Sequence, residues 1–142
     1  MRKPLFSAAL IVLLICISLP GLVGCSTNRN PLDGTEWKLA GWSLNSLDPA
    51  IFTITAKFTK EDISGSSGVN TYSGPYKLGT GGSFSVDQVA GTLMAGPEPA
   101  MRAESTYLTL LGQARSYKIV DKKLTLFDKD GNESLIFEAA NK

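Results

Sequence analysis

Apolar and polar residues alternate along most of the chain beyond residue 35, and this period of two predicts β-strands. In residues 36–42, Trp37 and Leu39 alternate with charged neighbours. Residues 52–58 place four apolar side chains on one face, and two threonines and a lysine on the other. Shorter alternating runs predict further strands from residue 63 and at residues 76–78, 84–86, 89–94, 117–120, 124–126 and 135–137.

The period changes to that of an α-helix in residues 100–115. Pro97-Glu98-Pro99 precedes this stretch, and both proline and a negative charge suit a first helical turn. We interpret the apolar stripe as core packing; it consists of Ala100, Ala103, Tyr107, Leu110, Leu111 and Ala114. Strands on both sides of one helix predict an α+β fold, a small curved antiparallel β-sheet or partial β-barrel packed around one α-helix.

A glycine-rich segment, residues 65–76, interrupts the strand pattern, and we call it the glycine corner. Glycine within a strand pattern marks a bulge, a bend or a close backbone approach, so the sheet is predicted to bend here. Asn70, Tyr72, Gly74 and Tyr76 are the candidate residues for binding or for shaping the bend. The structural interpretation, in which Asn70 bonds to the backbone and Tyr72 packs, is favoured over the binding one.

The N-terminus has the pattern of an export signal. Arg2 and Lys3 precede an almost wholly apolar run, residues 5–19, which is typical of a secretory signal peptide. The signal ends in a segment that resembles the bacterial lipobox, Leu22, Val23, Gly24 and Cys25. In this resemblance Cys25 becomes the lipidated first residue of the mature chain. The alternatives are a plain secreted protein and an uncleaved membrane anchor.

This interpretation divides the chain into a lipoprotein signal peptide at residues 1–24, a polar tether at residues 25–31 and one domain at residues 32–142. Lipidation of Cys25 makes the membrane a predicted partner, because two or more acyl chains anchor a protein stably. Ser26 follows, whereas an aspartate at that place resembles an inner-membrane retention signal of Gram-negative lipoproteins. The expected location is the bacterial cell envelope, lipid-anchored at the outer membrane and facing the periplasm.

Net charge and the residue types present limit the partners and the types of catalysis that the chain could have. Removing residues 1–24 removes Arg2 and Lys3 from the 14 basic residues, which leaves 12 against 13 acidic residues and no basic stripe. We therefore expect no nucleic-acid partner. The chain has no histidine, Cys16 lies in the signal and Cys25 is acylated in this interpretation, so Ser-His-Asp catalysis, Cys-His catalysis and the usual zinc sites are excluded. We expect no cofactor, no metal and no enzymatic activity.

Two further motifs are weaker. A Ser-Lys arrangement stays open for the serines of the glycine corner, although the Gly-x-Ser-x-Gly pattern is missing. Asp128, Asp130 and Asn132 resemble the start of a calcium loop, but Gly131 precedes the third of them and Ala139 stands at the twelfth place. We predict a hairpin turn there.

The glycine corner resembles the corresponding segment of the META domain, the META/HslJ-like family. The resemblance also includes residues 34–39, residues 92–95, Met101, Glu104, the helix to Leu111, and residues 124–126 and 131–137, and it spans about residues 32–138. It implies a small β-barrel or half-barrel with a helix across it, an envelope or secreted location, a link to stress tolerance and no established enzymatic activity. Many members carry cysteine where Val69 and Gly96 stand here, so a link between those cysteines, if relatives form one, is absent from this chain.

Three functional hypotheses follow. The first is a non-catalytic, lipid-anchored envelope protein that supports stress tolerance or binds a protein partner or a small apolar ligand. The second is an inhibitor or assembly factor that docks on an envelope enzyme or secretion component through residues 79–82 or 97–99. The third is an unrecognised hydrolase that uses serines of the glycine corner.

Overall fold

The structure is a computed structural model that describes residues 29–43 and 46–140 of the 142-residue chain. The predicted signal peptide and its lipobox, Leu22, Val23, Gly24 and Cys25, lie outside the described residues. Within the described ranges, no helix is long and apolar enough to cross a bilayer.

The described residues contain nine β-strands and one α-helix. The helix is α1 (Glu98–Gln113). The strands are β1 (Glu36–Trp42), β2 (Thr55–Phe58), β3 (Asp62–Ser66), β4 (Thr71–Leu78), β5 (Phe84–Val86), β6 (Ala90–Gly91), β7 (Ser116–Val120), β8 (Lys123–Phe127) and β9 (Glu133–Ala139). They form one antiparallel sheet in the order β5-β4-β3-β2-β1-β9-β8-β7, and β6 pairs with β4.

The sheet curls into a nearly closed barrel, because its two edge strands meet. Ser83, just before β5, forms a bridge with Ser116 of β7, and the Phe84 N–H donates to the Arg115 carbonyl at 2.9 Å. No further pair joins β5 to β7 in the described residues. A seam therefore remains between the turn at Thr80–Gly82 and the rest of β7.

The core lies inside this barrel and is closed by α1. The predicted helical stripe is buried at Ala103, Tyr107, Leu110 and Leu111, and the ring of Tyr107 packs edge-on against Phe137 of β9, with ring centroids 6.3 Å apart. Packing the helix against the inner face of the sheet removes the apolar residues of both from water. The predicted α+β class, a curved antiparallel sheet or partial barrel packed around one helix, is confirmed.

Two predicted strands are shorter than expected. The run at 52–58 becomes a strand only at Thr55–Phe58, because Pro49–Ile51 forms a 3₁₀ turn and the Ile54 N–H bonds locally to the Phe52 carbonyl at 3.2 Å. The run at 89–94 pairs only at Ala90–Gly91. Beyond Gly91, the Asn70 side chain rather than a neighbouring strand bonds to the Thr92 hydroxyl and to the Met94 backbone.

The strand pairing determines which turns share an end of the barrel. β3 and β4 are joined by residues 67–70 at one end, and β4 and β5 by residues 79–83 at the other. Thr92 lies at the first end, because its N–H donates to the Thr71 carbonyl at 3.1 Å. Residues 29–31 lie at the second, where they line the same groove as the turn before β5. We call these the corner end and the tether end.

Candidate functional site

Close backbone packing shapes the glycine corner. A Cβ atom on Gly65 would lie 2.1 Å from the Thr55 carbonyl oxygen, and one on Gly74 would lie 2.8 Å from the Gln88 carbonyl oxygen. Gly68 has φ +122°, in a region that favours glycine. Gly65 and Gly74 are required because a Cβ atom would collide with neighbouring backbone, and Gly68 because of its positive φ.

A hydrogen-bond network joins the corner to the helix. We call it the Glu104 network; it consists of Ser67, Asn70, Thr92, Met94 and Glu104. The Glu104 Oε2 atom accepts from the Ser67 hydroxyl at 2.6 Å and from the Asn70 N–H at 2.8 Å. Its Oε1 atom accepts from Asn70 Nδ2 at 2.8 Å. One helical carboxylate thus satisfies three donors of a turn that lies 34 to 37 residues earlier in the chain.

The same bonds determine the charge of Glu104. Burial alone would raise the pKa of this carboxyl, but the hydrogen bonds from Ser67, from Asn70 and from the Val69 backbone outweigh it and lower the pKa below its ordinary value of 4.5. The carboxylate is therefore ionised at neutral pH. With a lowered pKa and three hydrogen bonds already accepted, it is a poor proton acceptor for a substrate.

Asn70 extends the network to the loop after β6. Its Oδ1 atom accepts from the Met94 N–H at 2.8 Å and from the Thr92 hydroxyl at 2.7 Å, and its Nδ2 atom donates to the Met94 carbonyl at 3.1 Å. Asn70 itself is only 5% exposed. It fixes a loop on which Leu93 is 99% exposed and Met94 is 57% exposed.

Tyr72 points into the barrel and pairs with the helix. Its hydroxyl donates to the Thr55 carbonyl at 3.0 Å and bonds with the Tyr107 hydroxyl, and the two rings lie edge to face with centroids 5.5 Å apart. Burial raises the pKa of both phenols well above the ordinary value of 10.0. Both therefore remain neutral at any physiological pH.

Tyr76 lies at the other end of β4, beside a groove of about 660 Å³. We call this the seam groove; its walls include Arg29, Asn30, Lys60, Tyr76, Tyr117 and residues 79–82. Asn30 Nδ2 donates to the Tyr76 hydroxyl and to the Lys60 carbonyl, and that hydroxyl donates to the Thr59 carbonyl at 2.7 Å. Tyr76 thus fixes the point at which the tether joins the barrel.

A second groove, of about 690 Å³, lies on the outer face of β3, β4 and β6. Its hydroxyl side chains come from Thr55, Ser64, Ser66, Thr71, Ser73 and Thr92, and none of its lining residues is charged. No hydrogen bond joins its serines to a lysine in the described part of the chain. The Ser-Lys arrangement considered for the corner is not assembled there.

The structure separates the predicted candidate residues into two groups. Asn70 and Tyr72 lie at or near the corner end, Tyr76 lies at the seam groove, and Gly74 lies between them on β4. Cys25 and the lipobox lie outside the described residues. Among the described residues, no cluster of three histidine, cysteine or acidic side chains could hold a metal ion.

Sequence reasoning missed the partners of these residues. Glu104 falls outside the helical stripe and has the pattern of an ordinary surface residue, although three donors converge on it. Arg29 and Lys60 belong to the tether and to a turn, and neither segment carries a recognisable motif. Only their shared position in the seam groove sets them apart.

Comparison with known proteins places this fold in a family. The family model of the META domain matches residues 30–141. The chain belongs to the META domain family. A comparison with curated proteins finds no match.

Solved structures share the fold of this META domain. A protein from Burkholderia xenovorans, solved by NMR, is 26% identical with a TM-score of 0.66, over 78% of this chain and 85% of that one. A second NMR structure is 20% identical with a TM-score of 0.57, over 75% and 90% of the two chains. A crystal structure of a DUF4847 family protein from Bacteroides vulgatus is 12% identical with a TM-score of 0.54, over 79% and 96%. The last two show the fold alone.

Val69 and Gly96, which the resemblance matches to cysteines of many META domains, face each other in this chain. A Cβ atom built on Gly96 would lie 3.4 Å from the Val69 Cβ and only 2.7 Å from one of its methyl groups. The first distance is near the 3.5–4.5 Å found between disulfide-linked Cβ atoms, which are about 3.8 Å apart on average. Here the valine side chain fills the space that glycine leaves, so this contact joins the corner to the segment before α1 by packing alone.

Proposed function

We propose that the protein is a non-catalytic, lipid-anchored envelope protein whose META domain acts as a binding or interaction module in stress tolerance. The observation that carries this proposal is the lipobox-like segment, Leu22, Val23, Gly24 and Cys25, at the end of a signal-like N-terminus. The expected site is the outer membrane, facing the periplasm, because Ser26 rather than aspartate follows the cysteine.

The position of the barrel supports a membrane-proximal domain. Asn30 is bonded to the tether end and Leu32 is fully buried, so the fold begins five residues after Cys25. Five extended residues span about 17 Å. A lipid on Cys25 would therefore hold the tether end close to the bilayer and leave the corner end pointing away from it.

The geometry also supports a non-catalytic role. Glu104, the carboxylate most engaged with the corner, already accepts three hydrogen bonds, and Ser67 beside it is fully buried. A nucleophile must reach its substrate, and a general base must have a free lone pair. The Glu104 network is suited to holding the corner together.

Metabolic labelling with an alkyne analogue of palmitate tests the anchor directly. We expect label in the wild-type chain, which should fractionate with membranes, and no label in Cys25→Ala. Sucrose-density fractionation separates inner from outer membrane, and Ser26→Asp should move the protein to the inner membrane. An unlabelled wild-type protein that is released with the soluble fraction would refute the proposal.

A deletion strain, profiled across envelope stresses, tests the role. Complementation with the wild-type chain should restore tolerance, whereas Cys25→Ala, expressed at the same level, should not. Equal rescue by both chains would show that anchoring contributes nothing to function.

One observation favours the alternative, an inhibitor or assembly factor that docks on an envelope enzyme or secretion component. Leu93 and Met94 are exposed on a loop that Asn70 holds in place. A partner can therefore bind their apolar surface without the entropy loss of ordering the loop. In the same deletion strain, Leu93→Glu should fail to restore tolerance, while Ile51→Glu, on another exposed apolar residue, should restore it. Full rescue by Leu93→Glu would exclude docking through this loop.

A further inference from the structure

The seam groove differs in charge from the rest of the chain. Its lining residues include two cations, Arg29 and Lys60, and no acidic side chain, although the domain as a whole is nearly neutral. Neither cation forms an ion pair within residues 29–43 and 46–140. Among the described basic residues, only Lys77, Arg102 and Lys129 have an acidic partner, so Arg29 and Lys60 are distinguished by lining one groove that no acidic side chain lines. Two unpaired positive charges therefore share one concave surface.

The turn at Thr80–Gly82 supplies a second feature of the groove. Gly81 and Gly82 line it with φ values of 69° and 78°, in the left-handed region. Successive backbone N–H groups in such turns form concavities that bind anions. A Cβ atom on Gly81 would meet nothing within 4 Å, so no neighbouring group covers the turn on that side.

The seam itself explains why the groove exists. A Cβ atom on Gly82 would lie 3.1 Å from the Tyr117 carbonyl oxygen, so glycine lets the turn approach β7 without pairing with it. The Tyr117 side chain lines the same cavity as the two cations. The residues that line the groove thus include two cations, a glycine turn and two tyrosines, and cationic side chains and glycine-turn amides are groups that proteins use to hold phosphate.

We propose that the seam groove binds a phosphate group, held by Arg29, Lys60 and the Gly81–Gly82 turn. This inference rests on the proposed function only for the source of the phosphate. Four extended residues, about 14 Å, separate Arg29 from Cys25, so on an anchored chain the groove lies within reach of phospholipid headgroups. The phosphate is then that of an anionic lipid; otherwise it is a free phosphate or phosphate ester.

The test uses the mature chain, residues 25–142, with Cys25→Ala, which retains every described residue and needs no lipidation. Inorganic phosphate is titrated while amide chemical shifts are recorded by NMR. We expect saturable shifts at Gly81 and Gly82, and about tenfold weaker binding in Arg29→Gln/Lys60→Gln, which corresponds to about 1.4 kcal/mol. The matched control is Lys38→Gln/Lys57→Gln, which removes the same charge from exposed positions outside the groove. It should bind as the parent chain does.

A second arm distinguishes the sources of phosphate. Vesicles of phosphatidylcholine alone are compared with vesicles that also contain phosphatidylglycerol, by co-sedimentation at low and at physiological salt. Retention on the anionic vesicles that is lost in Arg29→Gln/Lys60→Gln but kept in the control supports a lipid headgroup. Binding of inorganic phosphate without vesicle retention supports a free phosphate.

Two results would overturn the proposal. One is the absence of shifts at Gly81 and Gly82 with phosphate together with no preference for anionic vesicles. The other is equal weakening in both charge-removal variants, which would show a general charge effect. Failure of palmitate labelling on the wild-type chain would leave this result unaffected, because the tested chain carries no lipid.

Discussion

Glu104→Gln tests whether the Glu104 network holds the corner to the helix. The substitution keeps the length and shape of the side chain but replaces one carboxylate oxygen by an NH₂ group. Three donors converge on the carboxylate, from Ser67 and from the backbone and side chain of Asn70. Whichever way the new amide is oriented, at least one donor faces another donor.

The size of the effect follows from these contacts. A hydrogen bond to a charged group contributes about 1.5–3 kcal/mol, and a buried donor left without an acceptor costs about 1–3 kcal/mol. Ser67 keeps an alternative acceptor, the Asn70 carbonyl at 2.9 Å, so the main loss is one bond to Asn70. We expect the free energy of unfolding to fall by about 2 kcal/mol at pH 7, and Tm by about 8 °C.

Urea unfolding at several pH values measures this difference. Because the pKa of Glu104 is lowered in the folded protein, its stabilisation is present above the ordinary value of 4.5 and is lost as the pH falls through the folded pKa. The difference in the free energy of unfolding between wild type and Glu104→Gln should therefore become smaller in acid. Glu98→Gln is the control, since it removes a mostly exposed partner of Arg102 on the same helix and should change little. Equal stability of Glu104→Gln and Glu98→Gln at pH 7 would refute the reasoning.

Three further predictions concern the same region. Gly65→Ala should lower the free energy of unfolding, measured in urea, by more than about 2 kcal/mol, because its Cβ would lie 2.1 Å from a carbonyl oxygen. Gly112→Ala, which has open space around its Cβ, should be neutral or stabilising. Similar values for the two variants would contradict the packing argument. Val69→Cys/Gly96→Cys should form a disulfide on air oxidation, seen as a loss of free thiols and a higher Tm that a reductant reverses, and persistent thiols would show that the two positions are too far apart. Tyr107→Phe should lower the free energy of unfolding by about 1 kcal/mol. Because burial raises the pKa of this phenol, wild-type stability should decline as the pH rises above 10.0. Absorbance at 295 nm should show Tyr107 ionising only when the protein unfolds, and ionisation in the folded protein would contradict its burial.

Local chemistry explains what the sequence alone determined. Alternation along the chain predicted the strands, a helical stripe predicted α1, and glycines marked the corner, because each depends on neighbouring residues and on which side of an element faces water. Even there, local bonds shortened two strands. β2 begins only at Thr55, because the chain leaves a 3₁₀ turn at Ile51 and Ile54 bonds locally to Phe52. After β6, the Asn70 side chain rather than a neighbouring strand bonds to Met94.

Only the tertiary structure decided which groups meet. Glu104 and Asn70 are 34 residues apart, and Asn30 bonds to Tyr76 across 46 residues, so no spacing along the chain reveals either pair. Val69 and Gly96 come into contact, and Arg29 and Lys60 come to line one groove, only in the folded barrel. The sequence determined the elements through their local periods, whereas the curvature of the barrel determined the Glu104 network and the seam groove.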